Sequence, residues 1–400
     1  MRVLHVVNGL AWRFGGTAAM VLQMTQALQR GGNVQVEIAT TDADGAGGHL
    51  AEETKPKTDV PVHYFHHDYS ERWKVSLGLR SWLKEHVRDY DLLHVHGIWS
   101  FSTTAACRAA RRARRPYVLV PHGMLSPYTF SRSPGVKKLY WHLVERRNVR
   151  RARCLHLTTE AERDEIAHLR LATPTCVVPP GLEPRAWEAP PRPDYLVGRL
   201  PAARGNRPVV LFLSRLHPKK GVVDVLLPAF VPLRESAYLV IAGGADDHAP
   251  EYVRRVETEV KALGLENDVA LLGPVDSADR FSTLDSAAVF VLPSHHENFG
   301  IVVAEAMARR VPVVISKQVQ AGEHVERADA GRVVALDAPA MTDAIRELLS
   351  DPAAGRAMGE RGRNYVRENL DWNGIGTQVT DLYSDCVADP RQEPSEKQVS

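Results

Sequence analysis

Between Ala287 and Ile315 the chain reads as strand, loop, helix and strand in one short stretch, and that order admits few folds. Ala287 to Leu292 (AAVFVL) is a continuous apolar run, the pattern of a strand buried on both faces, and it stops at Pro293. A polar loop from Ser294 to Asn298 leads to Gly300, where an Ala- and Met-rich helix begins and runs to about Arg309; Val311 to Ile315 returns as a second buried strand. Two buried strands joined through a helix run parallel, so the loop lies at a strand's carboxyl end, where open α/β sheets bind ligands. Glu297 stands just before this helix and Glu305 about a turn and a half inside it. One carboxylate can reach across a crevice while the other lies beside a helix N-terminus, whose free N–H groups attract phosphate. A lone pair of glutamates would read as solvated charge; the surroundings single these two out.

The 400 residues give a prior of two or three domains and enough chain for more than one core. A formal charge of +2 gives no global reason to expect nucleic acid. Cys107, Cys154, Cys176 and Cys386 are scattered with no C-x-x-C pair, which fits reduced thiols and argues against a zinc site. Met1 to Leu10 is too short and too soon interrupted for a signal peptide, and no run approaches the ~18 apolar residues of a membrane span. The expected location is cytoplasmic, with peripheral contact at the inner face of a membrane left open.

Strand-helix alternation begins with Arg2 to Val7 (RVLHVV), which runs into Gly15-Gly16 and a helix from about Thr17 to Arg30. A glycine pair opening a helix permits close backbone approach to a phosphate, and the absence of G-x-G-x-x-G argues against a nicotinamide site. Residues 41–59 read as a Gly-rich surface loop; the Asp42-Ala43-Asp44 spacing inside it reads as chance, with no strand leading directly into it as a metal-holding D-x-D would have. His94 and His96 share a strand face, and with no partner at ligand spacing they read as packing residues. Strand Tyr117 to Pro121 delivers His122-Gly123 to its carboxyl end. Two basic stretches, Arg108 to Arg115 and Lys137 to Arg153, are ordered as solvated helix faces first, a membrane surface second and nucleic acid last.

The alternation restarts after a stretch rich in proline, arginine and alanine, which points to two doubly wound domains rather than one large sheet. The expected limits are 1–180, a linker at 181–207, 208–370, a last helix at 371–387 and a disordered tail at 388–400. Heading the second half, Ser214-Arg215-Leu216-His217-Pro218-Lys219-Lys220-Gly221 sits between a buried strand and a helix, with Arg215 and Lys220 flanking a turn. Such fixed cations at a turn after a buried strand suit an anionic ligand.

The run P-S-x-x-E-x-F-G-x-x-x-x-E-A-M-A, followed by a buried strand, resembles the signature of family 4 (group 1) retaining glycosyltransferases of the GT-B fold, of the bacterial polysaccharide-biosynthesis type. The resemblance implies two Rossmann-like domains facing across a cleft, the first binding the acceptor, the second the nucleotide sugar, with the last helix crossing back to the first domain. It implies that Arg215 and Lys220 grip the donor diphosphate with Gly16 closing over it. It further implies that Gly300 opens the site helix, Glu305 holds the ribose, Glu297 holds the sugar near its reacting carbon and His122 orients donor sugar or acceptor. No cofactor or metal is expected; the expected partners are a UDP- or GDP-sugar and a saccharide or lipid-linked acceptor, with no nucleic acid. An epimerase, a phosphorylase or a non-catalytic sugar-nucleotide binder on the same fold is the alternative. The family usually carries glycine near the end of the site helix, where Arg309-Arg310 stand here.

Overall fold

The computed structural model describes residues 1–45, 47–68, 73–131, 134–246, 249–276 and 278–388; the tail expected at 388–400 lies, from 389 on, outside them. Contacts divide the chain into two compact units, Met1–Val178 with the chain from Asn373, and Pro179–Trp372. The first is built on β1 (Arg2–Val7), β2 (Gln35–Thr41), β3 (Val62–Phe65), β4 (Leu92–His96), β5 (Tyr117–Val120), β6 (Cys154–Leu157) and β7 (Thr175–Val177). These form one parallel sheet in the order β3-β2-β1-β4-β5-β6-β7. The second unit carries β8 (Val209–Leu213), β9 (Tyr238–Ala242), β10 (Val269–Gly273), β11 (Val289–Leu292), β12 (Val313–Ser316) and β13 (Gly331–Val334), parallel in the order β10-β9-β8-β11-β12-β13. Central strands such as β8, β9 and β11 are buried at every residue, which is why they read as unbroken apolar runs; edge strands β3, β7 and β13 are half-buried. The strand order reverses between β1 and β4 in one sheet and between β8 and β11 in the other, opening a crevice at each carboxyl edge.

Two expectations fail here. The 181–207 stretch is not a free linker: Leu182, Ala186, Trp187 and Leu196 are buried in the core of the second unit. Its apolar residues lack a period because irregular chain, with one short helix at Arg185–Glu188, anchors them singly. Nor is 41–59 wholly surface loop, since Ala43 and His49 pair antiparallel and Ala43 is fully buried.

The helix Ile301–Ala308 is fixed by an arginine that the sequence marked only as a departure. Arg309 is buried, bidentate to Asp285 (Nε–Oδ1 and Nη2–Oδ2, both 2.7 Å), and its Nη1 donates to the Ala186 and Ala189 carbonyls. Arg310 takes the left-handed conformation (φ 62°) that a glycine would adopt there, so the turn into β12 survives the substitution at some backbone cost.

Along the carboxyl half of the first sheet the interior is polar. His5 on β1 is the register partner of His94 on β4, and it supplies the neighbour that spacing along β4 could not reveal. His5, His94, His96 and His156 are all buried, and Tyr383 reaches them from the helix Trp372–Ala388. The hydrogen bonds form a single line. His156 Nε2 meets the Val178 carbonyl (2.8 Å), His156 Nδ1 meets His94 Nε2 (3.3 Å), and His94 Nδ1 meets the Tyr383 hydroxyl (2.6 Å). Tyr383 in turn meets His5 Nε2 (3.2 Å), His5 Nδ1 meets His96 Nε2 (3.0 Å), and His96 Nδ1 meets His122 Nε2 (3.3 Å). A carbonyl only accepts, so His156 Nε2 carries the proton, and with neutral rings every later tautomer follows. At the end of the line His122 donates from Nε2 and keeps an unprotonated Nδ1.

Burial holds these rings neutral. It pulls His5 and His122 to about 3 and His156 to about 4, with the neighbouring His156 ring adding for the first two and a bond to the Val178 carbonyl opposing for the third; burial first, then the neighbouring rings, puts His94 and His96 well below the ordinary range. Because the folded values lie below the unfolded ones, the unfolded chain binds the extra protons as pH falls. Stability is complete above about pH 6.5 and drains away towards the folded values. The four fully buried rings together should cost about 5 kcal/mol between pH 7.5 and 5.5, a fall of about 10 °C or more in Tm, measurable by thermal denaturation; an unchanged Tm would show that the rings charge freely. In denaturant unfolding at neutral pH, Arg309→Ala should lose about 3–5 kcal/mol, because the Asp285 carboxylate would be left buried without a counter-charge, only the Arg192 amide still bonding it.

Candidate active site

At the switch point of the second sheet, two loops are locked together. The turn after β8 brings Gly221 (φ 69°) against the end of β11, where a Cβ would lie 2.0 Å from the Pro293 carbonyl oxygen. Only glycine permits that approach, and the His295 amide then bonds the Lys219 carbonyl at 2.7 Å. The loop carrying Glu297 is pinned from the other side. Its backbone exchanges bonds with Gln318 and Gln320 (both 3.1 Å), and the Ser316 hydroxyl donates to the Ser294 carbonyl at 2.6 Å. Gly300, at φ 78°, turns the chain into the helix Ile301–Ala308, whose first amides have no carbonyl within the helix to bond.

Across this junction Lys220, itself buried, forms an ion pair with Glu297. Burial alone would raise the Glu297 carboxyl; the Lys220 and Lys219 ammoniums overcome it and hold the group below the usual carboxylate range. Lys219 is pushed down by burial and by its cationic neighbours Lys220 and Arg215, against the pull of Glu297 and Asp246. Arg215 is half exposed and bonds the buried carboxylate of Asp246 at 2.9 Å. Thus Arg215, Lys220, Glu297 and Gly300 gather at the carboxyl ends of β8 and β11, where three cations face two anions.

Glu305 belongs to a different cluster. It is buried on the site helix, its Oε1 paired with Arg280 Nη2 at 2.9 Å. Burial pushes its carboxyl up, partly offset by Arg280 and Arg185. No contact joins it to Lys220 or Arg215 among the described residues, so a ligand must span the two clusters to meet both.

In the first unit, Gly16 begins the helix Gly16–Arg30 at the carboxyl end of β1, and a Cβ on it would meet no protein atom. His122 follows β5 in a left-handed conformation (φ 52°), with the next residue, Gly123, also left-handed. Glu162, fully buried, holds that turn: Oε1 accepts the Gly123 amide at 2.6 Å and Oε2 the Thr158 amide at 2.8 Å. Its own signal was in the sequence, since Thr159-x-x-Glu162 has the spacing of a capping box and Thr159 caps the helix. Lys219 was legible only as an alternative to Lys220; Asp246 and Arg280 had no such local mark and emerge only from contacts between distant elements. Two groups of side chains lie close enough to hold a metal among the described residues, His5/His94/His96 and Asp42/His49/His66, both in the first unit.

Comparison with known proteins bears on both units. Residues 15–181 match the family described as glycosyl transferase 4-like domain, and residues 201–365 the family described as glycosyl transferases group 1. A D-inositol 3-phosphate glycosyltransferase of Xylanimonas cellulosilytica is 30% identical over 312 residues, 74% of this chain and 72% of that protein. A GDP-mannose-dependent alpha-(1-6)-phosphatidylinositol monomannoside mannosyltransferase of Mycolicibacterium smegmatis is 33% identical over 192 residues, 45% of this chain and 48% of that protein, so this chain spans about half of it. Among solved structures, Anabaena Alr3699/HepE in complex with UDP and glucose superposes with a TM-score of 0.79 at 22% identity, over 96% of this chain and all (100%) of that one, a likeness of fold. The chain belongs to the group 1, family 4 type glycosyltransferases and has their GT-B fold.

Proposed function

We propose that this protein moves a hexose from a UDP- or GDP-activated donor to a saccharide or lipid-linked acceptor in the assembly of a cell-surface polysaccharide or glycolipid. The observation that carries the reading is the cation cluster at the β8/β11 switch point, with an ionised glutamate in its midst. A donor diphosphate competes with Glu297 for Lys220 and adds Arg215 as a second grip. The developing charge on the departing nucleoside diphosphate then meets fixed cations and the amides that open the Ile301–Ala308 helix. Glu297, released from Lys220, faces the sugar as its reacting carbon gains oxocarbenium character, with retention of configuration. Gly16 supplies a backbone that can approach a phosphate without a side chain in the way. His122 offers Nδ1 as an acceptor to a hydroxyl of donor sugar or acceptor. Glu305 takes the ribose hydroxyls beside Arg280. On this reading the transfer needs no metal. Calorimetric titration with a panel of UDP- and GDP-sugars is the first experiment. Arg215→Ala should weaken UDP or GDP binding by about 10- to 100-fold, and Glu297→Gln should keep donor affinity while lowering kcat about 100-fold or more. Unchanged nucleotide affinity in the first variant or undiminished turnover in the second would remove the corresponding role.

A second observation supports action at a membrane surface. The segment Pro134–Tyr140 continues through a π turn, Trp141–Glu145, into Arg146–Arg150. Its inner face buries Trp141, Glu145, Asn148 and Val149. Its outer face leaves Val136, Leu139 and Leu143 55%, 62% and 70% exposed, at helical spacing, among Lys138, Arg146, Arg147 and Arg150. An apolar stripe rimmed by cations fits the interface of an anionic bilayer, and no described helix is long and apolar enough to cross one. Co-sedimentation should show binding to phosphatidylglycerol vesicles that weakens with salt, and Leu139→Asp with Leu143→Asp should reduce it about 10-fold. Equal recovery with neutral phosphatidylcholine vesicles would set this reading aside.

A further inference from the structure

At the carboxyl ends of the neighbouring strands β2 and β3, four side chains converge outside the candidate active site. Asp42 follows β2; His66 and His67 follow β3. His49 is returned to the same point by the pairing of Ala43 with His49, with the Leu50 amide donating to the Asp42 carbonyl. The Asp42 carboxylate is divided between two tasks. Its Oδ1 accepts from the His67 amide (3.1 Å) and the His67 Nδ1 (3.0 Å). Its Oδ2 meets His49 Nδ1 at 3.1 Å and His66 Nδ1 at 3.0 Å, and those two rings stack with centroids 4.0 Å apart. Asp44 takes no part, its carboxylate being turned back to the Gly48 amide, so the D-x-D spacing is not the feature that matters.

We propose that Asp42, His49 and His66 bind one divalent transition-metal ion, of the Zn²⁺, Co²⁺ or Ni²⁺ class, through Asp42 Oδ2 and the two histidine Nδ1 atoms. Ligands at 2.0–2.1 Å from a tetrahedral ion lie roughly 3.3 Å from one another; Asp42 Oδ2 lies 3.1 Å and 3.0 Å from the two histidine nitrogens, and the three ligand atoms all lie within 4.8 Å of one another. Two imidazoles and one carboxylate suit these ions rather than Mg²⁺, which demands a shell of oxygens. His67 is the outer support, binding the free carboxylate oxygen so that Oδ2 stays aimed at the ion. The His49 and His66 side chains are 44% and 62% exposed, which leaves a fourth position open to water or an anionic or hydroxyl-bearing ligand. The ion clips the loop at 42–50 to the end of β3. The buried group His5/His94/His96 is no equal competitor, since its ring nitrogens are taken up by the hydrogen-bonded line and it contains no carboxylate.

The test uses the full chain, free of any histidine tag and stripped with chelator. Titration with Co²⁺ should give a saturable visible absorption at one ion per chain, displaced by Zn²⁺, and Zn²⁺ should raise Tm. His66→Ala should weaken Co²⁺ binding about 10- to 100-fold, and His49→Ala with His66→Ala should abolish both the band and the Zn²⁺-dependent rise in Tm. Both side chains are largely exposed, so the variants should match the metal-free protein in Tm, which separates lost ligation from lost folding. No saturable band in the unaltered protein, or equal affinity in the double variant, would overturn the site.

Discussion

The Lys220–Glu297 ion pair depends on a reversal of strand order. Because β8 and β11 are neighbours whose following chains depart in opposite directions, the loops after them meet over a gap that neither fills. Gly221 and the Pro293 carbonyl fix how closely those loops approach, and the pair closes the gap electrostatically. Such a buried pair is a poor source of stability, since desolvating both ions offsets most of their attraction. Its consequence is preorganisation: two opposite charges are held in place and largely out of water before any ligand arrives. The surplus of cations around it, Lys219 and Arg215, favours arrival of an anion over collapse of the site.

How much of this was legible depends on whether a signal is local. Strands buried on both faces carry their own mark, and so did the loop-to-helix stretch with Glu297 and Gly300. The Arg215–Gly221 turn was legible because close backbone approach at a strand's end needs glycine. What failed to show was whatever depends on a distant partner. His94 and His96 gave no hint of His5, which lies about ninety residues away on the adjacent strand. Arg280 is unremarkable until Glu305 is brought beside it, and the Asp42 cluster exists only because β2 and β3 end side by side. The irregular chain at 181–207 read as linker because periodicity detects regular elements, whereas Trp187 and Leu196 are buried one at a time.

Where the sequence departs from a family pattern, the structure shows which physical requirement was kept. The helix end at Arg309-Arg310 needs a left-handed residue, and Arg310 supplies it without being glycine. Close packing enforces the conformation: a Cβ on Gly359 would fall 2.0 Å from the Arg310 carbonyl oxygen, so the neighbouring helix rests directly on that turn. Arg309, meanwhile, does what no glycine could, tying the site helix to Asp285 and to the carbonyls of the irregular segment at 186–189. The substitution therefore exchanges backbone ease for a buried tether on the element that carries Glu305.

The histidine line in the first unit answers a different question, namely what His122 can be to a ligand. An isolated histidine presents either nitrogen as donor or acceptor. Here the Val178 carbonyl, at the far end, removes the choice, because each neutral ring that donates forward must accept behind. Inverting His122 would require every ring and the Tyr383 hydroxyl to invert together, leaving an unprotonated His156 Nε2 facing the Val178 carbonyl oxygen, lone pair against lone pair with no proton between them. Protonating any ring is opposed by burial and by its neighbours. His122 Nδ1 is thus a fixed acceptor, and its natural partner is a hydroxyl rather than a phosphate or carboxylate. The cations of the second unit, by contrast, favour an anionic group, so the two units differ in the ligand chemistry each can meet.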